Sequence, residues 1–76
     1  MLSCPMDWAT LEWQLLQAER HVSEGESHVA RVRAVIAERQ HQGLDVREAT
    51  DLLRQFEELQ ATHIADRNRL RKGLGL

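Results

Sequence analysis

Few of the residues that cross-link or interrupt small folds occur in this chain of 76 residues. Cys4 is its only cysteine, so no intramolecular disulfide can form, and the disulfide frameworks of small secreted proteins are excluded. Proline occurs once, at Pro5, and tyrosine is absent. A core of this size is marginal without a disulfide, a metal or a partner. The sequence therefore predicts one domain that needs a partner or a metal to be stable.

Strong charge bias and long apolar runs are also lacking. The net charge is -2, and no run of about 18 apolar residues could span a membrane. The first residues, MLSCPMDW, have neither the basic nor the apolar region of a signal peptide. The basic segment 66–72 is typical of cations at the end of a helix, and the arginines of segment 29–40 are typical of a solvated helix face. We expect a cytoplasmic protein that binds neither nucleic acid nor membrane.

What is present is a helical pattern. Good helix formers dominate, and strand-like alternation is absent. In the first half, apolar or small residues recur at spacings of three and four: Trp8, Leu11, Leu15, Ala18, Val22, Gly25, Val29, Val32 and Ile36. This heptad pattern predicts a coiled-coil-like helix over about residues 6–42, packed lengthwise against another helix, with Ser3 or Asp7 as its cap.

A turn signal follows this helix. Gly43, followed by Leu44, predicts a Schellman-like helix end at a left-handed glycine. Asp45 and Glu48 then predict a capping box at the start of a second helix. That helix is expected over about residues 46–72, after a turn at 43–45, with this apolar stripe: Ala49, Leu52, Leu53, Phe56, Leu59 and Leu70. The predicted fold is all-α, a single antiparallel two-helix hairpin over residues 1–76.

The two predicted helices differ in length. Pairing across a turn centred near Leu44 places residue i opposite about 88 − i, so the second helix would end opposite about residue 16. An apolar group at the start of the first helix would then lack a partner within the chain: Trp8, Leu11, Trp13, Leu15 and Leu16. Such a patch favours association. We expect these residues to form an oligomer interface, with two hairpins making a homodimeric four-helix bundle and a tetramer as the second option.

Polar residues interrupt both apolar stripes at one level. The 88 − i pairing places Gly25 opposite His63, where a missing Cβ would make room for the imidazole. The predicted polar layer comprises His21, Gly25, His28, Gln60, His63, Asp66 and Arg67. Buried polar positions of this kind fix register and oligomeric state in coiled coils.

The same layer offers a second reading. His21, His28 and His63, with Glu24 or Asp66, supply nitrogen and oxygen ligands suited to zinc, nickel or copper. Two histidines seven residues apart on one helix lie about 10 Å apart, so another helix or chain would have to bridge them. A cluster of imidazoles that responds to pH is the third reading. The structural role is preferred, and no resident cofactor is expected.

Catalytic motifs are missing. No Ser/His/Asp or Cys/His arrangement is legible, and a hairpin offers no obvious concave pocket. Neighbouring carboxylates such as Glu57 and Glu58 diverge on a helix. The sequence predicts a protein that is not an enzyme.

Two segments carry a resemblance. AERHVSEGESHVARVRAVIAE and, after the turn, EATDLLRQFEELQATHIADRNRLR resemble a group of short bacterial proteins of unknown function. The resemblance covers roughly residues 18–71 and includes the whole predicted polar layer together with Phe56, but neither tryptophan. It implies a bacterial helical hairpin and no activity. We therefore expect a non-enzymatic module for self-association or interaction. The alternatives are a metal-binding or metal-sensing bundle, and a small regulator that binds a partner protein.

Overall fold

Two long helices make up almost the whole of the structure, a computed structural model that describes residues 7–76. Helix α1 covers Trp8–His41 and helix α2 covers Arg47–Gly73. They pack against each other along a molecule that measures 61 × 17 × 17 Å. The all-α antiparallel hairpin predicted from the sequence is confirmed. Cys4, Pro5 and the alternative cap Ser3 lie outside the described residues.

Helix α1 ends in the Schellman motif that the sequence predicts. Gly43 adopts a φ of 74°, and its N–H donates to the Gln40 carbonyl at 3.0 Å. The Leu44 N–H donates to the Arg39 carbonyl at 2.8 Å, which completes the motif. Gly43 is needed here because a side chain at this positive φ would be strained.

Helix α2 ends in the same way. Gly75 adopts a φ of 78°, its N–H donates to the Lys72 carbonyl, and the Leu76 N–H donates to the Arg71 carbonyl at 2.9 Å. The motif carries the chain one residue beyond Gly73 in helix-like conformation, so that Leu74 is buried against α1.

The predicted capping box at the start of α2 forms only in part. The Asp45 carboxylate accepts a bond from the Arg47 N–H at 3.0 Å and further bonds from the Arg47 guanidinium, but Val46 occupies the N-cap position. Among the described bonds, none joins Glu48 to Asp45. The Arg47 side chain lowers the pKa of Asp45 below its ordinary value of 3.8, and the Arg47 N–H adds to this effect.

The core is a narrow seam between the helices. On α1 it follows the predicted heptad: Leu11, Leu15, Ala18, Val22, Val29 and Val32 are buried. On α2 the buried or half-buried residues also recur at spacings of three and four: Val46, Ala49, Leu53, Phe56, Gln60, His63, Arg67, Leu70 and Leu74. Leu52 and Leu59, predicted in this stripe, are exposed beside it.

The register differs from the predicted one by about one helical turn. His21 lies against His63, His28 against Phe56, and the Arg39 side chain donates to the Asp45 carbonyl, so the helices pair residue i with about 84 − i. The connection between the helices explains this shift. It folds back along the last helical turn of α1, so that α2 starts beside residue 37 rather than beside residue 41.

This register corrects the predicted overhang. Leu11 and Leu15 belong to a buried cluster with Ala18, Leu70 and Leu74, so they do have partners within the chain. Trp8, Trp13 and Leu16 stay exposed. Neither helix, over the described residues, has an apolar stretch suited to crossing a membrane.

Candidate functional site

The centre of the seam holds a glycine against a glutamine. A Cβ placed on Gly25 would lie 1.7 Å from the Gln60 Oε1, so only glycine allows this approach. The Gln60 Nε2 donates to the Val22 carbonyl at 2.8 Å, which gives a buried hydrogen bond between the two helices. The prediction that Gly25 makes room for His63 is therefore wrong; the space belongs to Gln60, which lies one turn earlier on α2.

The other side of this amide lacks a partner. Gln60 Oε1 is fully buried and accepts no hydrogen bond from the protein. Its neighbour is the Gly25 Cα, whose hydrogens are weak donors. An unpaired buried acceptor costs about 1–3 kcal/mol. This cost is confined to the level at which the Gln60 side chain fills the space beside Gly25.

The histidines flank this contact and do not form one cluster. The rings of His21 and His63 are tilted by 39° to each other with centroids 5.2 Å apart, whereas the His28 ring centroid lies 5.6 Å from that of Phe56. His63 is half-buried, and His21 and His28 are exposed. The predicted layer therefore consists of three parts in succession: an imidazole pair, the Gly25–Gln60 contact and an imidazole–phenyl pair.

Two members of the predicted layer point elsewhere. The Asp66 carboxylate pairs with Arg69 on its own helix, and the Arg67 guanidinium donates to the Asn68 side chain. Asp66, predicted in the polar layer, is therefore exposed and bonded to Arg69, three residues along the same helix. Arg67 does lie on the seam, half-buried.

The histidines do not provide the predicted metal site within one chain. His28 is held beside Phe56, so His21 and His63 form a pair without a third imidazole. Over residues 7–76, no three His, Cys, Asp or Glu side chains gather in a way that could hold a metal ion. Glu24 lines the groove beside the pair, but its carboxylate bonds to Arg20.

The hairpin has two lateral faces, which lie on opposite sides of the seam. The first, which we call the histidine face, carries rows of residues seven apart: His21, His28 and Val35 on α1, and Leu52, Leu59 and Asp66 on α2. The second, which we call the ion-pair face, carries Glu19, Glu26 and Arg33 on α1, and Glu57, Ile64 and Arg71 on α2. Residues seven apart share one side of a helix that packs through a heptad seam.

Large exposed apolar side chains occur on both faces. Trp8 and Leu16 line a groove with Leu76 at the open end of the ion-pair face, and Trp13 lies at the open end of the histidine face. The predicted interface residues are thus divided among the core and the two faces. Sequence reasoning missed Val35 and assigned Leu52 and Leu59 to the core; their seven-residue spacing beside the seam is the signal that separates them.

Comparisons with models of protein families, with curated proteins and with solved structures find no match. The resemblance to short bacterial hairpin proteins stays a prediction. The case for a function therefore depends on the geometry of this chain.

Proposed function

We propose that this chain is a non-enzymatic helical module that associates with itself, two hairpins forming a four-helix bundle. The observation that carries the proposal is that few apolar side chains are well buried, whereas many large ones are exposed. No side chain of the described residues is less than 2% exposed, whereas large apolar side chains remain open, among them Trp13 at 63%, Leu16 at 60% and Leu59 at 51%. Extended exposed apolar surface is typical of interaction sites.

The geometry of two helices explains this balance. A hairpin can cover only one stripe of each helix, so residues that flank the seam stay in contact with water until further helices cover them. A second hairpin supplies two such helices at once. A two-fold homodimer is the simplest closed form, and a tetramer is the larger alternative.

The non-enzymatic part of the proposal is supported by the surroundings of the imidazoles. Among the described hydrogen bonds, none joins a histidine to a serine, aspartate or glutamate, which is the arrangement that nucleophilic or general acid–base catalysis would use. His21 and His63 contact each other, and His28 contacts a phenyl ring.

Sedimentation equilibrium of the tag-free chain at micromolar concentrations tests the proposal. We expect a species of about twice the 8.8 kDa chain mass. A folded 8.8 kDa monomer at every concentration would overturn it and would favour a small regulator that binds a partner protein through the exposed Trp8 and Trp13. Adding zinc or nickel to the same samples tests the metal-binding alternative, which requires a change in mass or in Tm.

A further inference from the structure

We propose that the histidine face is the surface on which a second copy of this chain docks. This inference rests on the self-association proposed above and specifies where it occurs. The first argument is the distribution of charge across the seam. Both interhelical ion pairs of the described residues, Arg33–Glu57 at 2.7 Å and Arg71–Glu19 at 3.1 Å, lie on the ion-pair face.

On the histidine face, uncharged contacts take the place of these ion pairs. The helices meet there through the His21–His63 and His28–Phe56 ring contacts, beside a groove of about 190 Å³ that Leu59 also lines. Docking on the ion-pair face would remove from water the two ion pairs that join the helices, which is costly. The ion pairs at the histidine face, Asp66–Arg69 and Glu24–Arg20, each lie within one helix, and the contacts that join the helices there are uncharged.

The second argument is the pattern of the flanking rows. Helices inside a four-helix bundle carry a third apolar row beside the two rows of the seam, whereas the helices of a two-stranded coiled coil need only two. On α2 the third row contains Leu52 and Leu59, and on α1 it contains His28 and Val35. The corresponding rows of the ion-pair face contain Glu26, Arg33 and Glu57, and their one large apolar residue over residues 7–76 is Ile64.

The size of the face suits a second copy. A lateral face of 61 by 17 Å has a projected area of about 1,000 Å², compared with about 800 Å² per partner in a standard protein–protein interface. A partner of equal length is needed to cover a surface this long and narrow, and another copy of the hairpin has that length.

Charge fixes the orientation of the copy. In α2, residues 47–60 contain four acidic residues and two arginines, whereas residues 61–73 contain four basic residues and one aspartate. A copy whose turn lies at the opposite end places the acidic half of one α2 over the basic half of the other. Leu59 lies near the middle of α2, so it meets the partner's Leu59 close to the two-fold axis.

The test compares two matched charge substitutions by sedimentation equilibrium. We expect Leu59→Glu, on the histidine face, to convert the dimer to a monomer, and Ile64→Glu, on the ion-pair face, to leave a dimer. A dimer that survives Leu59→Glu but is lost with Ile64→Glu or Leu16→Glu would overturn the assignment of the face while leaving self-association intact. A monomeric wild-type chain would overturn both proposals.

A cross-linking experiment covers the case in which a charged variant unfolds. In a Cys4→Ser background, we expect Leu59→Cys to form an interchain disulfide with oxidised glutathione and Ile64→Cys to remain monomeric on a non-reducing gel. Cross-linking of Ile64→Cys but not of Leu59→Cys, in protein that is dimeric by sedimentation, would overturn the proposal.

Discussion

At the scale of single residues, the contact between Gly25 and Gln60 explains a glycine in the middle of a 34-residue helix. Glycine costs about 1 kcal/mol relative to alanine at such a position. In exchange, the missing Cβ leaves room for the Gln60 side chain, which donates a buried hydrogen bond to the Val22 carbonyl. The presence of a special contact at Gly25 was predictable from its cost, but the identity of the partner depended on the register.

We expect Gly25→Ala to destabilise the protein by about 1 kcal/mol, although alanine is the better helix former. The new Cβ would displace Gln60 and break its bond to Val22. In a Gln60→Ala background the same substitution should instead stabilise, because only the difference in helix propensity remains. Urea unfolding of the four proteins measures both values.

Gly73→Ala is the control for this cycle, because its Cβ would meet nothing within 4 Å. It should be neutral or slightly stabilising. If Gly25→Ala stabilised the protein equally in both backgrounds, the contact with Gln60 would have no energetic role.

Asp45 provides a second test at this scale. Because the bonds from Arg47 lower its pKa in the folded state, its contribution to stability is present above the unfolded-state pKa and is lost as the pH falls through the folded-state pKa. We expect the carboxyl ¹³C chemical shift of Asp45 to titrate below pH 3.8, and Arg47→Gln to move that midpoint upward. An unchanged midpoint in Arg47→Gln would exclude the guanidinium as the cause.

At the scale of helices and turns, local signals were sufficient for most of the hairpin. The heptad on α1 and the Gly43–Leu44 helix end are predictable because each depends on residues close in sequence. The register is different, because a heptad seam looks similar after a shift of three or four residues. The register depends instead on the path of the turn, which places Asp45 beside Arg39.

The α2 stripe shows the same limit. Leu52 and Leu59 lie within one row of the seam, so periodicity alone does not decide whether they face α1 or a further helix. The seam of α2 includes Gln60, His63 and Arg67. A stripe predicted from apolar residues alone leaves these polar positions out.

The Schellman turn at Gly43 predicts that replacing Gly43 destabilises the protein more than replacing the helical Gly73. Gly43→Ala should destabilise the hairpin by about 1–2 kcal/mol, because alanine is strained at a φ of 74°. Gly43→Asn should lose less, since asparagine tolerates this conformation better. Thermal unfolding followed by circular dichroism measures both. Equal losses for Gly43→Ala and for the helical Gly73→Ala would contradict the role assigned to the left-handed turn.

At the scale of the whole molecule, the thin core is the feature that links folding to the proposed association. The buried apolar side chains form a single narrow line, and large apolar side chains in the rows beside it stay exposed. Sequence periodicity predicted the hairpin within one chain. It placed the interface at the N-terminal end, because the misjudged register left Leu11 and Leu15 without their partners Leu70 and Leu74.

If folding depends on dimerisation, the Tm of the wild-type chain should rise with protein concentration over about a hundredfold range, because mass action favours the associated folded state. The Tm of Leu59→Glu should not change. Differential scanning calorimetry at several concentrations measures both. A constant wild-type Tm would mean that the single hairpin is stable by itself.

The close fit of Gln60 against Gly25 also favours one register of the two helices over others. Sliding the helices by one heptad would press the amide against Ala18 or Val32, where a Cβ occupies the space that glycine leaves free. The same contact could also form between two chains, however, because α1 of one molecule could pack against α2 of another in the same register. The short turn at residues 42–46 is therefore what keeps α2 packed against α1 of its own chain. Lengthening or straightening that turn would allow two chains to exchange their α2 helices and form a domain-swapped dimer.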